Sequence, residues 1–364
     1  MFKTIHTIDD VLPFVATKKE ISRIPGPAGS TTLCYQFQDS NTFDSPEAIE
    51  CRGIVFDRDG NIAARPLHKF FNLGEHGETA DTIDTNQVAR VMDKLDGSMI
   101  HTVWLDGTLF LKSKKSFHNA QTELAWDWMG RPENESVRAV CSTLAEAGCT
   151  LIFELTSPQN RIVVAYPATQ MRLLHIRRNE CGTYFPSVAL QAIAEINGIP
   201  LVEEPCTVDE ALATVSTMEG KEGYILQFAS GQMLKVKCPW YLQLHRTVSF
   251  TRERDIAEAA LDERLDDIKA ALAGMGHDLG PINAIESEVL VELLAVRAQV
   301  ESTLALAPSD RKTFATIFRD HELFHLLMPA FLGKEVDYKA WYRKNRLKQR
   351  WSLEPVADVA LEDA

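Results

Sequence analysis

The chain has 364 residues, 45% apolar and 24% charged, the balance of a globular protein with room for two or three domains. No run reaches the roughly 18 uncharged apolar residues of a membrane helix, so no membrane partner is expected. A net charge of −13 excludes a protein that coats nucleic acid by bulk electrostatics, so any such contact must come from clustered Lys and Arg.

Met1 to Glu20 mix Lys, His, Asp and Glu with apolar residues, which is not the pattern of a secretory signal. The seven cysteines contain no Cys-x-x-Cys pair, so they read as reduced thiols packed as small apolar groups. A cytoplasmic monomer is the expectation. Strand-like β-branched and aromatic runs occur at Gly53–Asp57, Ile100–Trp104, Thr150–Glu154 and Tyr224–Phe228. Asp106-Gly107 reads as a tight hairpin turn. Helical periodicity covers Ala120–Met129 and Val188–Ile196. Strands and helices do not alternate strictly, so residues 1–250 are expected to form an α+β domain with antiparallel sheets. From Thr251 the texture becomes Ala/Leu/Glu-rich, with helices expected over Asp255–Met275, Asn283–Leu306 and Arg311–Leu327. Breaks are expected at Gly276, Gly280-Pro281 and Pro308. Residues 251–364 thus read as a small all-helical domain. Arg343 to Arg350 is a locally basic run, either an RNA contact or a solvated helix face. The acidic tail after Ser352 is expected to fray.

The chemistry centres on Lys94-Leu95-Asp96-Gly97. Alone, Lys-x-Asp-Gly occurs by chance in roughly one chain of this length in twelve. Its meaning comes from the ordered set of residues downstream. Glu154 ends an apolar strand, Glu222 precedes Gly223, and Lys235 and Lys237 alternate on a further strand so that both face one side. A lysine can serve as a covalent carrier, but with a pKa near about 10.4 very little is neutral at pH 7. Nearby cations such as Lys235 and Lys237 would favour the neutral amine and bind phosphate.

With Cys51-Arg52-Gly53 and Lys69-Phe70-Phe71-Asn72 upstream, and Leu111 to Lys114, Phe153-Glu154, Ser157-Pro158, Asn160 to Val163, Glu222-Gly223-Tyr224 and Lys235 to Tyr241 downstream, the sequence resembles the bacteriophage-type RNA ligase 1 family of covalent nucleotidyltransferases. The resemblance runs from Cys51 to Tyr241 and implies a ligase-type α+β domain. It also implies ATP, magnesium (manganese as the alternative), and Lys94 as the residue that forms lysyl-AMP. Lys235 and Lys237 would assist catalysis. Arg52, Lys69, Phe71, Gly97, Lys114, Glu154, Glu222, Gly223 and Tyr241 would line the nucleotide site, with Glu154 and Glu222 also toward the metal. The substrate implied is RNA with 3′-hydroxyl and 5′-phosphate ends, such as a broken tRNA anticodon loop. A separate end-healing kinase or phosphatase is the partner suggested, and the host cytoplasm the location if the chain is phage-encoded. Leu95 stands where the resemblance implies an acidic residue, so the metal shell implied here lacks that contact. A DNA ligase or a capping-type enzyme is the alternative. Neither is favoured, because no OB-like β domain is evident after Tyr241.

His321-Glu322-Leu323-Phe324-His325 matches His-Glu-x-x-His, a zinc-peptidase pattern if it lies on one helix. The extended motif fails at Met328 and Phe331, leaving Glu335, Asp337 and Glu354 as candidate third ligands. Pro329 is expected to end the helix. A peptidase therefore stays the distant alternative.

Overall fold

The computed structural model describes residues 2–36, 38, 41–75, 82–160, 164–242, 253–274 and 279–351. The chain divides into two compact units, Met1–Leu244 and His245–Ala364. Arg161, Ile162, Val163, Met275, Gly276, Glu354 and the tail from Ser352 lie outside the described residues.

The first unit is α+β, with three four-stranded sheets among the described residues. One sheet runs in chain order through β1 (Ile21–Pro25), β2 (Thr31–Tyr35), β3 (Arg52–Phe56) and β4 (Ile62–Ala64). The second joins β5 (Phe71–Asn72), β12 (Met233–Lys237), β11 (Gly223–Phe228) and β6 (Val88–Asp93) in that order. The third has the order β10 (Gln170–Arg178), β9 (Cys149–Thr156), β7 (Ser98–Leu105) and β8 (Thr108–Lys112). Pairing is antiparallel except for the short β5–β12 pair, which is parallel. Asp106 and Gly107 join β7 to β8 with φ of 49° and 74°, the left-handed conformation that suits a two-residue hairpin to right-twisted strands.

Short α1 (Leu12–Val15) precedes the sheets, and the helices α2 (Ala120–Met129), α3 (Glu135–Glu146) and α4 (Ser187–Asn197) cover one face of the third sheet. Alternation in the strands explains this. Ile100, Phe153, Leu151 and Met171 face those helices in a fully buried cluster with Trp128, Cys141 and Leu190. Asn119 starts α2 with a capping box, exchanging hydrogen bonds with Thr122 at 2.9 Å each way. The opposite face of the sheet carries Met99, His101, Ile152 and Glu154, because His101 pairs with Ile152 and Met99 with Glu154. It packs through Met99 and Ile152 on Leu67, Phe70 and Met233. The short helix α5 (Val208–Thr214) packs on the second sheet through Ala211 and Leu226.

The second unit is helical throughout its described residues and is built around one apolar core that includes Ile256, Val289, Phe314, Leu327 and Tyr342. Its breaks differ from those expected. Asp255–Met275 is divided into Glu253–Leu261 and Leu265–Gly274 at a turn where Glu263 takes φ 59°. Gly280-Pro281 opens the long helix Gly280–Ala305 instead of interrupting one, since proline fits the first helical turn. Pro329 lies inside Phe324–Phe331 and the helix ends two residues beyond it.

The expected helix over Arg311–Leu327 is also divided, into Arg311–Phe318 and Phe324–Phe331, and the break falls within His-Glu-x-x-His. His321 sits in the turn, its Nδ1 accepting the Leu323 amide at 3.0 Å while Leu323 is fully buried. The two histidines therefore do not share a helix face, and the geometry of a zinc peptidase is lost. Asp337 caps the helix Tyr338–Tyr342, accepting from the Ala340 amide at 2.8 Å. No group of three His, Cys, Asp or Glu suited to a metal ion occurs among the described residues.

Candidate active site

Lys94 comes directly after β6, and its amide donates to the Gly223 carbonyl at 2.9 Å, which docks it against the start of β11. Its ammonium lies 2.6 Å from Glu222 Oε1. Lys237 Nζ lies 2.9 Å from the same oxygen, so one buried carboxylate holds two lysines. The register explains the convergence: Gly223 pairs with Lys237 across β11 and β12, and Glu222 accepts the Cys238 amide at 3.0 Å. Lys235, on the same face of β12 as Lys237, sets its ammonium over the Phe70 ring, 5.6 Å from the centroid. A second clasp flanks the pair, with Lys221 Nζ 2.5 Å from Asp93 Oδ2.

Glu154 is half-buried at the end of the sheet face that also carries Met99 and Ile152. Burial pushes its pKa up to about 8. Lys94 and Arg52 oppose that rise, while Glu222 and Asp96 reinforce it. These five groups therefore feel one another electrostatically, and a carboxyl raised to about 8 favours its protonated form near neutrality.

Asp96 is 1% exposed. Its Oδ1 accepts from the Tyr241 hydroxyl at 2.9 Å and its Oδ2 from the Val164 amide at 2.7 Å. The Asp96 amide donates to the Tyr166 hydroxyl at 3.0 Å. The aspartate of Lys-x-Asp-Gly thus ties the loop that follows Lys94 to the end of the unit. Gly97 and Gly223 allow a close approach, though to the protein's own backbone. A Cβ at Gly97 would lie 2.3 Å from the Leu155 carbonyl oxygen, and one at Gly223 2.1 Å from that of Val236.

The upstream cations gather around aromatic rings. Lys69 is 3% exposed, with its ammonium 5.2 to 5.6 Å from the centroids of Tyr35, Phe43 and Phe71. Lys114 sits 4.0 Å from the Tyr35 centroid. Arg52 lies over Phe70 at 5.3 Å. Lys112 is turned inward, donating to the Lys114 and Ser113 carbonyls at 2.9 and 3.2 Å, and shapes the loop that carries Lys114.

Sequence reasoning missed Tyr35 and Phe43, which precede the motifs and carry no spacing signal. It also missed a buried ion triad beneath Lys69. Glu50 Oε1 meets Arg65 at 2.8 Å and Glu50 Oε2 meets Arg177 at 2.7 Å, and all three side chains are nearly inaccessible. Burial alone would raise the Glu50 pKa, but Arg177 and Arg65 together hold it at about 2. Arg177 also donates to the Pro66 carbonyl at 2.7 Å, while the Lys69 amide donates to the Ile49 carbonyl at 2.7 Å, so the triad anchors both ends of the Lys-Phe-Phe-Asn segment's approach.

The basic run Arg343 to Arg350 is largely neutralised within its own unit. Arg346 and Arg350 each reach Glu292 at 3.0 Å, Arg350 also reaches Glu288 at 3.0 Å, and Arg343 pairs with Asp262. Residues Arg343–Leu347 form a π-helical turn, a rare element that lets these arginines meet carboxylates on two helices.

Two carboxylates here, Glu154 and Glu222, would remain for a divalent cation, short of a three-ligand protein cage. Each oxygen of Asp96 already accepts a hydrogen bond, and burial, reinforced by Glu222 and Asp96, keeps Glu154 from ionising. Magnesium needs only one or two carboxylates when waters and substrate phosphates complete its shell.

Residues 50–241 match the profile of a family described as RNA ligase. A Thermovibrio ammonificans protein named "Putative RNA ligase" is 32% identical over 250 residues, 66% of this chain and 65% of that protein's length. RNA ligase 1 of bacteriophage TS2126 is 28% identical over 282 residues, 74% of this chain and 69% of that protein. Among solved structures, an archaeal ATP-dependent RNA ligase shares 14% identity at a TM-score of 0.46, with 86% of each chain covered.

Proposed function

The chain belongs to the RNA ligase family whose profile spans residues 50–241, and from that premise we propose that it is an ATP-dependent RNA ligase that carries AMP covalently on Lys94. The observation that carries the proposal is the single buried carboxylate oxygen shared by Lys94 and Lys237, with Glu154 beside it.

Lys94 must shed a proton before it attacks the α-phosphorus of ATP. Glu222 Oε1, 2.6 Å away, is within hydrogen-bond reach to accept it. Forming the N–P bond breaks the bond to the β-phosphate and expels pyrophosphate. Lys235 and Lys237 meet the negative charge that builds on the α-phosphate, and Arg52, Lys69 and Lys114 receive the departing phosphates. Phe71 packs beside the nucleotide. Glu154 and Glu222 would hold a magnesium ion, which supplies charge neutralisation at the phosphates when bound. AMP then passes to an oxygen of an RNA 5′-phosphate, with cleavage of the N–P bond. Attack by a 3′-hydroxyl releases AMP and seals the strand. The Asp96–Tyr241 bond keeps the Lys94 loop in place throughout.

In this reading the helical unit selects RNA with broken loops, such as a cleaved tRNA, and the sealing serves RNA repair. Incubation with ATP labelled on the α-phosphate, and then with single-stranded RNA bearing a 5′-phosphate, tests the proposal. Label transferred from protein to RNA supports it. Faster sealing of nicked duplex DNA than of RNA supports a DNA ligase instead, and absence of protein label defeats both.

A further inference from the structure

His101 is fully buried, and among the described residues neither of its ring nitrogens has a hydrogen-bond partner. A buried imidazole left in that state loses the hydrogen bonds it had in water, so it needs a reason to be there. Its place in the sheet supplies one. His101 lies two residues from Met99 on the face of β7 that also presents Ile152 and Glu154 from β9. Met99 and Ile152 pack on Phe70, and the Arg52 guanidinium lies over that same ring. Two cations act on His101: Lys112, its facing partner on β8, whose ammonium donates to the Ser113 and Lys114 carbonyls, and Arg52, whose Nη1 is a second buried atom without a partner among the described residues. Burial, then Lys112 and Arg52, hold the imidazole well below the usual histidine range, so it is neutral and keeps one accepting nitrogen. An unbonded acceptor and an unbonded donor are thus both buried, and the two groups act on one another electrostatically. Leucine or valine would fill the position without any desolvation cost, as Val103 does two residues on.

We propose that His101 is a positioning residue for Arg52, accepting from its inward nitrogen directly or through one ordered water and so fixing the outward face of the guanidinium toward phosphate. The inference rests on the ligase reading only in naming what Arg52 binds. Phosphate affinity is measured apart from catalysis, so the two stand or fall separately.

The probe is inorganic pyrophosphate with magnesium, its binding measured by calorimetry on the full chain and on His101→Leu, His101→Gln, Arg52→Ala and the Arg52→Ala/His101→Leu double variant. His101→Leu is expected to melt no lower than the parent and to bind pyrophosphate about tenfold more weakly, as loss of one hydrogen bond to a charged group implies. His101→Gln, which keeps an acceptor, should recover most of that loss. In the Arg52→Ala background, His101→Leu should change nothing further. Unchanged affinity in His101→Leu overturns the inference, as does an equal loss in both backgrounds. Should His101→Leu not fold, His101→Met, which also lacks a strong acceptor, takes its place in both backgrounds under the same criteria. Failure of Lys94 to take label from ATP would defeat the ligase reading while leaving this cycle intact.

Discussion

The two units handle charge in opposite ways. Every buried charged or polar side chain among the described residues lies between Ser22 and Gln227, in the first unit. Arg65, Arg177 and Lys112 are completely enclosed there, and Lys69 nearly so. The helical unit has a purely apolar interior apart from the Tyr and Trp polar tips, and it meets its arginines with carboxylates at the surface. Burying a charge costs several kcal/mol unless it is paired or bonded, so evolution tolerates it where a site needs preset cations. The contrast separates a unit built around chemistry from one built around packing.

The largest effect should come from breaking the first unit's buried triad. Glu50→Ala leaves Arg65 and Arg177 enclosed without a counter-ion and is expected to cost about 3–5 kcal/mol. Urea unfolding monitored by hydrogen exchange should show the loss in peptides of residues 2–242, with the helical unit's peptides unchanged. Equal loss in both units would dissolve the contrast.

Removing the Asp96 tether should cost less. Tyr241→Phe removes one hydrogen bond to a buried carboxylate and is expected to lower stability by about 1–3 kcal/mol. Labelling of Lys94 should slow with unchanged ATP affinity, read from single-turnover rates. A stability loss with normal labelling would make the tether structural only.

Acid sharpens the comparison further. His68 is held at about 3, by burial first and then by Arg177, and burial likewise holds His101 and His175 well below the usual range. Their folded values lie below the unfolded value of about 6.5, so the stability tied to neutral imidazole is complete above that pH and is lost as pH falls below it. Glu50, at about 2 in the fold, adds a second loss between roughly pH 4.5 and 2. Urea midpoints for the first unit should therefore decline from just below pH 6.5. A flat midpoint down to pH 5 would contradict the buried histidines.

The smallest effect is expected at the basic run. Arg346→Ala with Arg350→Ala removes half-exposed pairs and should cost about 1 kcal/mol or less. With both arginines held by Glu288 and Glu292, RNA affinity should fall less than threefold in filter binding, a ceiling in keeping with such weak contributions. A loss of tenfold or more would make this surface an RNA contact after all.

Much of this organisation was legible in the residue order. Lys94, Glu154, Glu222, Lys235 and Lys237 were readable because each sits at a strand end or alternates along a strand, and those local rules survive folding. Helix α2 matched its periodicity to the residue. The hidden parts join distant positions. Asp96 and Tyr241 are 145 residues apart, and Glu50 and Arg177 127 apart, distances at which no periodic pattern operates. The helical unit's breaks escaped for another reason: one turns on a left-handed Glu263 and the other on the His321 ring accepting the Leu323 amide, and neither has a periodic signature. Nor could the sequence show that a side chain at Gly97 or Gly223 would strike the Leu155 or Val236 backbone, for those contacts also come from other strands.

The central claim is that the lysine held by Glu222 becomes the carrier of AMP. Intact-mass spectrometry after incubation with ATP and magnesium, with peptide mapping of the product, tests it most directly. The account predicts one AMP adduct on Lys94, absent from Lys94→Ala and reversed by pyrophosphate. An adduct on another residue, or an undiminished adduct in Lys94→Ala, would contradict it.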